Sequence, residues 1–386
     1  MMDLIITYPF IVQKGGADRL LLEIAKKFDP VILTSYHKKN SSFLELEEFD
    51  IRQIKRPLFE SSLFMIHDDV KRNLILSGMK YYDYKIKEDY DAICAFLPGH
   101  WIRNKNERVC WYFLGPLRTA FDLYEEKVSR LPVHKRLPMD AALSVYRHME
   151  KQICPKIEKT VSGSPYINVR DSEFIRKYIQ KPLDTIIPPA VDHKEFRNEG
   201  YGKYFFYPSR VVPEKRFEYA IDAFREFSKK ENGWKLVLSG FLLDRPRERA
   251  YAEKLKERAQ GLDVEFHFSP PDKELKSLYA NCHAVLFCAV NEDWGFIPLE
   301  AMAAEKPCIS VNEGGPVYSI IDGKTGFLVN STEEMAQKML YLAQHPGENE
   351  KMGKAGRKRV LENYTWDVFA DRMKTAFREA AKGRDF

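Results

Sequence analysis

The chain has 386 residues, more than one hydrophobic core usually serves, so the sequence predicts two domains. Apolar residues make up 44% and charged residues 30%, as in an ordinary globular protein. The formal net charge of +5 is compatible with a phosphate-bearing ligand or an anionic surface, but it is too small to indicate nucleic-acid binding.

The cysteines and the amino terminus give further limits. Six cysteines are scattered along the chain without a Cys-x-x-Cys pair, which predicts small core residues and neither a zinc site nor a disulfide framework. The first ten residues indicate a strand rather than a signal peptide, and no apolar run has the length of a membrane span. We therefore expect a cytoplasmic protein, with a peripheral position at the inner membrane surface as an option.

The first half of the chain opens with the strand–loop–helix–strand order of a doubly wound sheet. Leu4–Thr7 and Pro30–Thr34 are the two strands, and a helix with one apolar face is predicted over Ala17–Phe28. Gly15 and Gly16 leave backbone N–H groups at the amino end of this helix, where an anion is favoured. The spacing is not the Gly-x-Gly-x-x-Gly of dinucleotide folds, so the loop is either an anion site or a plain tight turn.

Two later segments of the first half have both a functional and a structural interpretation. His100 follows the predicted strand Tyr90–Phe96, so it either reaches a ligand or is an ordinary surface or core histidine. The segment Lys127–Lys159 is rich in Lys and Arg with Leu, Val and Met among them. It is either the solvated face of helices or a basic surface that meets anionic lipid or a pyrophosphate carrier.

A second α/β set follows the polar, glycine-containing stretch Asn198–Gly202, which predicts a domain linker. Its first strand is expected at Tyr204–Pro208. Arg210 and Lys215 lie in the loop after this strand, at the edge where open α/β sheets bind ligands. Two cations in one loop suit a diphosphate group.

The most informative stretch joins a buried strand, Ala284–Val290, to a helix that is predicted to begin near Pro298. Glu292 lies between them, and Glu300 is expected in or near the first turn, where the helix dipole favours a negative side chain. Gly295 lets the backbone approach a ligand closely. The two glutamates are either a sugar- and ribose-binding pair or a helix cap and a solvated surface charge. Together with the two cations, they predict a nucleotide diphosphate sugar as the ligand.

In order along the chain, these motifs resemble those of the retaining family 4 glycosyltransferases, and most closely the mannosyltransferase-like members. Tyr207–Phe217, Y-P-S-R-V-V-P-E-K-R-F, is similar to the family's loop with Arg and Lys, and Asn291–Ala303, N-E-D-W-G-F-I-P-L-E-A-M-A, to its Glu-seven-Glu motif. The segments Ile187–Asp192, Lys306–Pro316 and Ile321–Val329 also stand in the family's order.

The first half of the chain departs from the family pattern in one place, and the second half in another. Val109–Arg118 is similar to a segment that reads Tyr-Cys-His-Thr-Pro-x-Arg in the family, but Leu114 stands where the histidine is expected. Tyr318 stands in the Glu place of the family's Gly-Gly-Pro-x-Glu. His100 is a candidate to replace the missing histidine. The two departures also keep open a nucleotide-sugar-binding protein without catalytic activity.

The resemblance implies the GT-B fold, an α/β class in which two Rossmann-like doubly wound parallel-sheet domains face a cleft. Residues 1–196 would form an acceptor-binding domain, residues 197–365 a nucleotide-sugar-binding domain, and residues 366–386 a helix that packs back on the first domain. The implied reaction is retaining transfer of a hexosyl group, with GDP-mannose as the first expected donor. The acceptor would be a glycan or a lipid-linked molecule, and no metal or cofactor is expected beyond the nucleotide sugar.

The same resemblance assigns roles to individual residues. Arg210 and Lys215 would hold the diphosphate and stabilise the charge that grows as it leaves, which takes the role of a metal. Glu292 would bind hydroxyls of the transferred sugar, and Glu300 would bind the ribose hydroxyls. His100 completes the expected catalytic set. The residues expected to line the donor site are Gly15, Gly16, Gly240, Ser269, Pro270, Pro271, Gly295 and Phe296.

Two other enzyme classes are alternatives to this assignment. A glycoside hydrolase would use Glu292 and Glu300 as its two carboxylates, but it has no use for the pair of cations. A phosphorylase with pyridoxal phosphate is disfavoured because the sequence has no clear Lys-centred cofactor site. Nucleic acid is not an expected partner.

Overall fold

The computed structural model describes residues 2–12, 14–55, 70–242 and 245–381. The chain forms two compact units: one runs up to Ile187 and resumes at Ala370, and the other spans Pro188–Phe369. The boundary between the two units thus lies inside the segment Ile187–Asp192, whereas the sequence predicted the linker at Asn198–Gly202.

The first unit is built on a seven-stranded parallel sheet. Its strands are β1 (Leu4–Ile11), β2 (Val31–His37), β3 (Ile51–Gln53), β4 (Ala92–Ala95), β5 (Val109–Phe113), β6 (Lys159–Ser162) and β7 (Thr185–Ile186). They lie in the order β3-β2-β1-β4-β5-β6-β7, and every neighbouring pair is parallel. All residues of β4 and β5 are buried, as expected for central strands that are covered on both faces.

The helices of the first unit cover this sheet. They are α1 (Gly16–Phe28), α2 (Val70–Tyr82), α3 (Tyr124–Lys127), α4 (Val133–Ile153), α5 (Pro165–Arg170) and α6 (Ser172–Phe174). Helix α1 buries Leu20, Leu21, Ile24 and Ala25, which confirms the apolar face predicted from their spacing. It ends at Asp29 in a left-handed conformation, with φ of 46°.

The second unit repeats the same design with six parallel strands. They are β8 (Tyr204–Pro208), β9 (Lys235–Gly240), β10 (Val264–Phe268), β11 (Ala284–Phe287), β12 (Cys308–Val311) and β13 (Gly326–Val329). Their order is β10-β9-β8-β11-β12-β13, again parallel throughout. The two sheets confirm the predicted class of two Rossmann-like doubly wound α/β domains.

Eight helices are described from residue 217 onward. They are α7 (Phe217–Ser228), α8 (Pro246–Arg258), α9 (Asp272–Asn281), α10 (Phe296–Ala303), α11 (Pro316–Ser319), α12 (Thr332–Gln344), α13 (Pro346–Asn363) and α14 (Trp366–Ala380). Helix α14 passes from the second unit into the first at Ala370. In the first unit, the Phe377 ring meets Phe28 edge to face at 5.3 Å, and Glu379 pairs with Lys159.

Two composition-based predictions can be compared with the structure. All six cysteines are buried and free, which confirms their interpretation as small core residues. Among the described helices, we find none with the length and apolar character needed to cross a bilayer.

Candidate active site

The strand order of the second sheet reverses between β8 and β11. At such a reversal, the loops that leave the carboxyl ends of the two strands turn to opposite faces and leave a crevice for a ligand. The loop after β8 carries Arg210 and Lys215, and the loop after β11 carries Glu292. The topology therefore brings the predicted cations and the first predicted carboxylate to one point of the sheet edge.

Lys215 and Glu292 form an ion pair across this crevice. The Lys215 ammonium hydrogen-bonds to Oε2 of Glu292, and the two side chains are only 14% and 28% exposed. The carbonyl of Lys215 accepts a hydrogen bond from the hydroxyl of Tyr207, which is buried at the end of β8. The sequence assigned Lys215 and Glu292 to different parts of a ligand and did not predict that they would pair.

Arg210 differs from Lys215 in its surroundings. Its neighbour Val211 is buried, and the Val211 amide donates to the carbonyl of Phe241 at 3.0 Å, which fixes the backbone. The Arg210 side chain is exposed, and it forms no hydrogen bond or ion pair with another residue in the described part of the chain. It is a solvated cation at the rim of the crevice.

Arg216 is a site residue that the sequence reasoning missed. It has a left-handed backbone, with φ of 47°, where the loop enters α7. Its Nε donates to the carbonyl of Cys288 at 2.7 Å, and its Nη2 lies 3.3 Å from Oε1 of Glu313. The side chain thus ties together the loops that follow β8, β11 and β12. One feature of the sequence could have indicated this residue: Arg216 is a third cation of the loop, immediately after Lys215.

The backbone of Glu292 is held by a pair of glycines in the loop after β12. Gly314 has φ of +71°, and a Cβ there would lie 2.6 Å from the carbonyl oxygen of Glu292. The amide of Gly315 donates to that same oxygen at 2.7 Å. A side chain at Gly314 would therefore push the Glu292 loop away from the crevice.

The structure corrects the predicted start of the next helix. Helix α10 begins at Phe296, two residues before Pro298, and no acidic residue lies in its first turn. Glu300 is the fifth residue of α10, near the first turn but not in it, so the helix dipole favours its charge less than it would within that turn. Gly295 precedes the helix with φ of 85°, as expected for a turn that requires glycine.

Glu300 is held by a tyrosine that the sequence reasoning did not identify. The hydroxyl of Tyr279, on α9, donates to Oε2 of Glu300 at 2.6 Å. Burial, and then the charge of Glu300, raise the pKa of Tyr279 well above its ordinary value, so the hydroxyl remains a donor. No feature of the sequence singled out Tyr279 as a site residue, because it lies in an ordinary amphipathic helix.

The predicted nucleotide-lining residues lie at the same sheet edge. Gly240 ends β9 with φ of +154°, and a Cβ there would collide with the carbonyl of Ser209. The amide of Ser269 donates to the carbonyl of Gly240 at 2.8 Å, and its hydroxyl accepts from the amide of Leu242 at 3.2 Å. Pro271 is the N-cap residue of α9, so Ser269, Pro270 and Pro271 form the connection from β10 to that helix.

The glycine loop of the first unit is built around a buried acid. Gly15 precedes α1 and Gly16 is its first residue. A Cβ at Gly15 would lie 3.0 Å from Oδ2 of Asp18. Burial raises the pKa of Asp18 to about 6, against the opposing effect of hydrogen bonds from its own backbone and from Tyr8. A carboxyl group thus already lies at this helix terminus, and the anion-binding role of the glycine pair stays a prediction.

His100 lies inside the core of the first unit. Its side chain has no exposed surface, its ring stacks on Trp111 at 4.0 Å, and its Nε2 is 3.0 Å from Oε2 of Glu150. Glu150 also accepts from Trp101 at 3.0 Å and from Cys154 at 2.8 Å. Burial alone would raise the pKa of Glu150, but the charge of His100 and the hydrogen bonds with His100 and Cys154 lower it. This geometry gives no support to a catalytic role for His100.

The same cluster has the residue types of a metal site. In the described part of the chain, His100, Glu150 and Cys154 are the three side chains whose ligand atoms lie within 4.8 Å of one another. All three are fully buried, and their ligand atoms already bond within the cluster. The expectation of a reaction without metal stays a prediction.

Comparison with known proteins places this geometry in a family. The family model described as "Glycosyl transferases group 1" matches residues 190–359. The alpha-1,3/1,6-mannosyltransferase ALG2 of Homo sapiens is 30% identical, covering 93% of this chain and 92% of the relative. ALG2 of Dictyostelium discoideum is 27% identical over 94% of each chain.

A solved structure supports the fold over the whole length. The Anabaena protein Alr3699/HepE, in complex with UDP and glucose, superposes with a TM-score of 0.69 at 16% identity, covering 97% of this chain and 99% of that one. At this identity the likeness speaks for the fold alone. Taken with the relatives above, it shows that the chain belongs to the group 1 glycosyltransferases of the GT-B fold, with mannosyltransferases among its relatives.

Proposed function

We propose that this chain is a retaining, metal-independent hexosyltransferase that uses a nucleotide diphosphate sugar as its donor. The observation that carries the proposal is the ion pair of Lys215 with Glu292 at the strand-order reversal of the second sheet, with Arg210 in the same loop as Lys215. Cations there suit a diphosphate, and a carboxylate beside them suits sugar hydroxyls. A hydrolase with two carboxylates would need neither cation.

The residues supply the chemistry as follows. The bond between the anomeric carbon and the diphosphate oxygen breaks, and its electron pair goes to the leaving diphosphate. Arg210 and Lys215 stabilise the negative charge that develops there. The acceptor hydroxyl forms the new bond on the face that the diphosphate leaves, and its proton passes to a leaving-group oxygen. The anomeric configuration is therefore retained.

Glu292 and Glu300 divide the recognition of the donor. Glu300, held by Tyr279, accepts hydrogen bonds from the ribose hydroxyls. Glu292 accepts hydrogen bonds from the transferred sugar once Lys215 has turned to the diphosphate. Phe296 follows Gly295 at the start of α10, so its backbone amide is one of those at a helix amino terminus.

GDP-mannose is the donor that we propose first, and a glycan or a lipid-linked glycan is the proposed acceptor. Two relatives that match over nearly the whole chain support this donor, because both are named as mannosyltransferases. A UDP-linked hexose is the second donor to test.

A thermal-shift screen identifies the donor, because a ligand that binds only the folded state raises its melting temperature. GDP-mannose, GDP, UDP-glucose and UDP are each added to the full chain. We expect the largest rise with GDP-mannose, a smaller one with GDP, and no rise with either donor in the Lys215→Ala variant. No rise with any of the four nucleotides would contradict the proposed donor class.

Transfer is then tested with the donor that binds, a mannosyl oligosaccharide acceptor, and EDTA in one arm. Nuclear magnetic resonance of the product reports the anomeric configuration. The proposal requires an α-linked product from the α-linked donor at equal rates with and without EDTA. Inversion, or loss of activity with EDTA, would contradict it. Donor binding without transfer to any acceptor would instead favour the alternative of a nucleotide-sugar-binding protein without catalytic activity.

A further inference from the structure

The core of the first unit brings together three different metal-binding side chains. His100 lies in the short helical turn Gly99–Asn104, Glu150 lies in the last turn of α4, and Cys154 directly follows that helix. Nε2 of His100 is 3.0 Å from Oε2 of Glu150, and Sγ of Cys154 is 2.8 Å from the same oxygen and 3.9 Å from Nε2. None of the three has exposed surface. We call them the His–Glu–Cys cluster.

The size of the cluster suits a zinc ion. Zinc binds Cys sulfur at about 2.3 Å and His nitrogen or Glu oxygen at about 2.0–2.2 Å. A triangle with these three sides has a point about 2 Å from every corner, so one ion would reach all three atoms with side-chain shifts below about 1 Å. Calcium and magnesium prefer sets of oxygen ligands, whereas thiolate together with imidazole selects zinc.

A fourth polar atom faces the same point from α4. Tyr146, Glu150 and Cys154 are spaced by four, so their side chains lie on one face of the helix. The Tyr146 side chain is fully buried, and its hydroxyl completes no hydrogen bond with a residue in the described part of the chain. Burial, and then the nearby charge of Glu150, raise the pKa of Tyr146 well above its ordinary value. The hydroxyl oxygen is therefore placed to complete a tetrahedral set.

Two tryptophans hold the cluster from outside. The indole of Trp101 donates to Oε1 of Glu150 at 3.0 Å, which leaves Oε2 directed at His100 and Cys154. The His100 ring stacks on Trp111 with the ring centroids 4.0 Å apart. Contacts of this kind orient the ligands of metal sites in proteins. The three ligand atoms are thus fixed by the core.

We propose that the His–Glu–Cys cluster is a structural zinc site that closes as the first unit folds. Binding forms bonds from the ion to Nε2, Oε2 and Sγ. It releases the thiol proton of Cys154 to solvent, while the imidazole of His100 carries its proton on Nδ1. One divalent ion, one carboxylate and one thiolate sum to zero charge, which a fully buried site requires.

The proposal departs from one sequence-based expectation and leaves another unchanged. The absence of a Cys-x-x-Cys pair predicted no zinc site, but His100 stands fifty residues before Glu150, so spacing along the chain could not indicate the cluster. Transfer without metal remains the expectation, because a buried ion stays bound while the folded protein is treated with EDTA. The inference concerns stability and does not depend on the proposed transfer reaction.

Metal analysis of the full chain tests the site without any nucleotide sugar. The protein is produced in zinc-supplemented medium, treated with EDTA while folded, desalted, and analysed for zinc by mass spectrometry. We expect about one zinc ion per chain, because EDTA reaches ligands without exposed surface only after unfolding. Urea together with EDTA should then release the ion.

Cys154→Ala is the decisive variant, and Cys94→Ala is its matched control. Both cysteines are free and fully buried in the first unit, so each substitution removes one thiol from the same core. Cys154→Ala should lower the zinc content by about tenfold or more, whereas Cys94→Ala should still hold about one ion per chain. Wild-type protein loaded with cobalt should show a thiolate-to-cobalt absorption band that Cys154→Ala lacks.

Three results would overturn the proposal. The first is wild-type protein with less than about a tenth of a zinc ion per chain, because hydrogen bonds alone would then hold the cluster. The second is equal zinc content in wild type and Cys154→Ala, which would place the ion elsewhere. The third is an equal loss in the two cysteine variants. Circular dichroism verifies that each variant is folded. If Cys154→Ala does not fold, a wild-type cobalt spectrum without the thiolate band contradicts the site.

Discussion

The Lys215 ammonium is bound to the Glu292 carboxylate across the crevice of the second sheet. In the absence of a donor, each side chain therefore neutralises the other. With the proposed roles, a diphosphate would take Lys215 from Glu292, and Glu292 would then be released toward the sugar. One residue pair would in that case link phosphate binding to sugar binding, which two separate sites would not do.

Glu292→Gln tests this link. The variant should bind the bare nucleoside diphosphate about two- to fivefold more tightly, because a partly exposed pairing charge no longer competes for Lys215. Transfer should nevertheless fall about ten- to a hundredfold, because a charge-assisted bond to the sugar is lost. Calorimetric titration and initial rates give the two numbers. Weaker binding of the bare diphosphate would show that the pair does not exchange in this way.

Lys215→Ala and Arg210→Ala test the stabilisation of the leaving group. Each should lower turnover by roughly 100- to 1000-fold, the usual effect of losing one partner of a developing negative charge. Lys230→Ala, an exposed lysine just after α7, is the matched control and should have wild-type turnover. Rates close to wild type in both site variants would remove these residues from the mechanism.

Glu300→Gln tests the ribose contact. Donor affinity should fall about ten- to a hundredfold, because the amide loses the charge and one acceptor oxygen. A 2′-deoxyribose donor already lacks part of this contact, so the substitution should affect it less. Titrating both donors against both proteins completes the cycle. Equal losses for the two donors would mean that Glu300 does not contact the ribose.

Tyr279→Phe tests whether the tyrosine positions Glu300. Removing the hydroxyl should weaken donor binding about fivefold while the buried ring keeps its packing. In the double variant with Glu300→Gln, the two losses should not add, since Tyr279 acts through Glu300. A purely structural tyrosine would instead lower the melting temperature and give additive losses in affinity.

Asp18→Asn tests the buried acid below the glycine loop. The pKa of Asp18 is raised in the folded state from 3.8 to about 6, so the folded protein binds more protons than the unfolded one between these values. Its unfolding free energy therefore falls as pH rises through this window. Urea unfolding should give similar stabilities for both proteins near pH 4 and a more stable variant above pH 6. A difference that is constant with pH would contradict the raised pKa.

The sequence determined the architecture because the architecture follows from local patterns. Apolar runs such as Val109–Phe113 and helices such as Gly16–Phe28 have the lengths and spacings of a doubly wound fold, and their alternation leaves few topologies. It also placed Arg210, Lys215 and Glu292 at strand ends, because the carboxyl ends of parallel strands share one edge.

Only the tertiary structure decided which side chains meet. Tyr279 and Glu300 lie on different helices, and the hydrogen bond between them depends on how α9 and α10 pack. His100 stands in a loop in the sequence, yet its carboxylate partner Glu150 comes from a helix fifty residues away and holds it in the core. Which side chains of α4 are exposed likewise depends on what the helix packs against. Spacing along a chain fixes which residues share a face, whereas the partner of that face is fixed only by long-range packing.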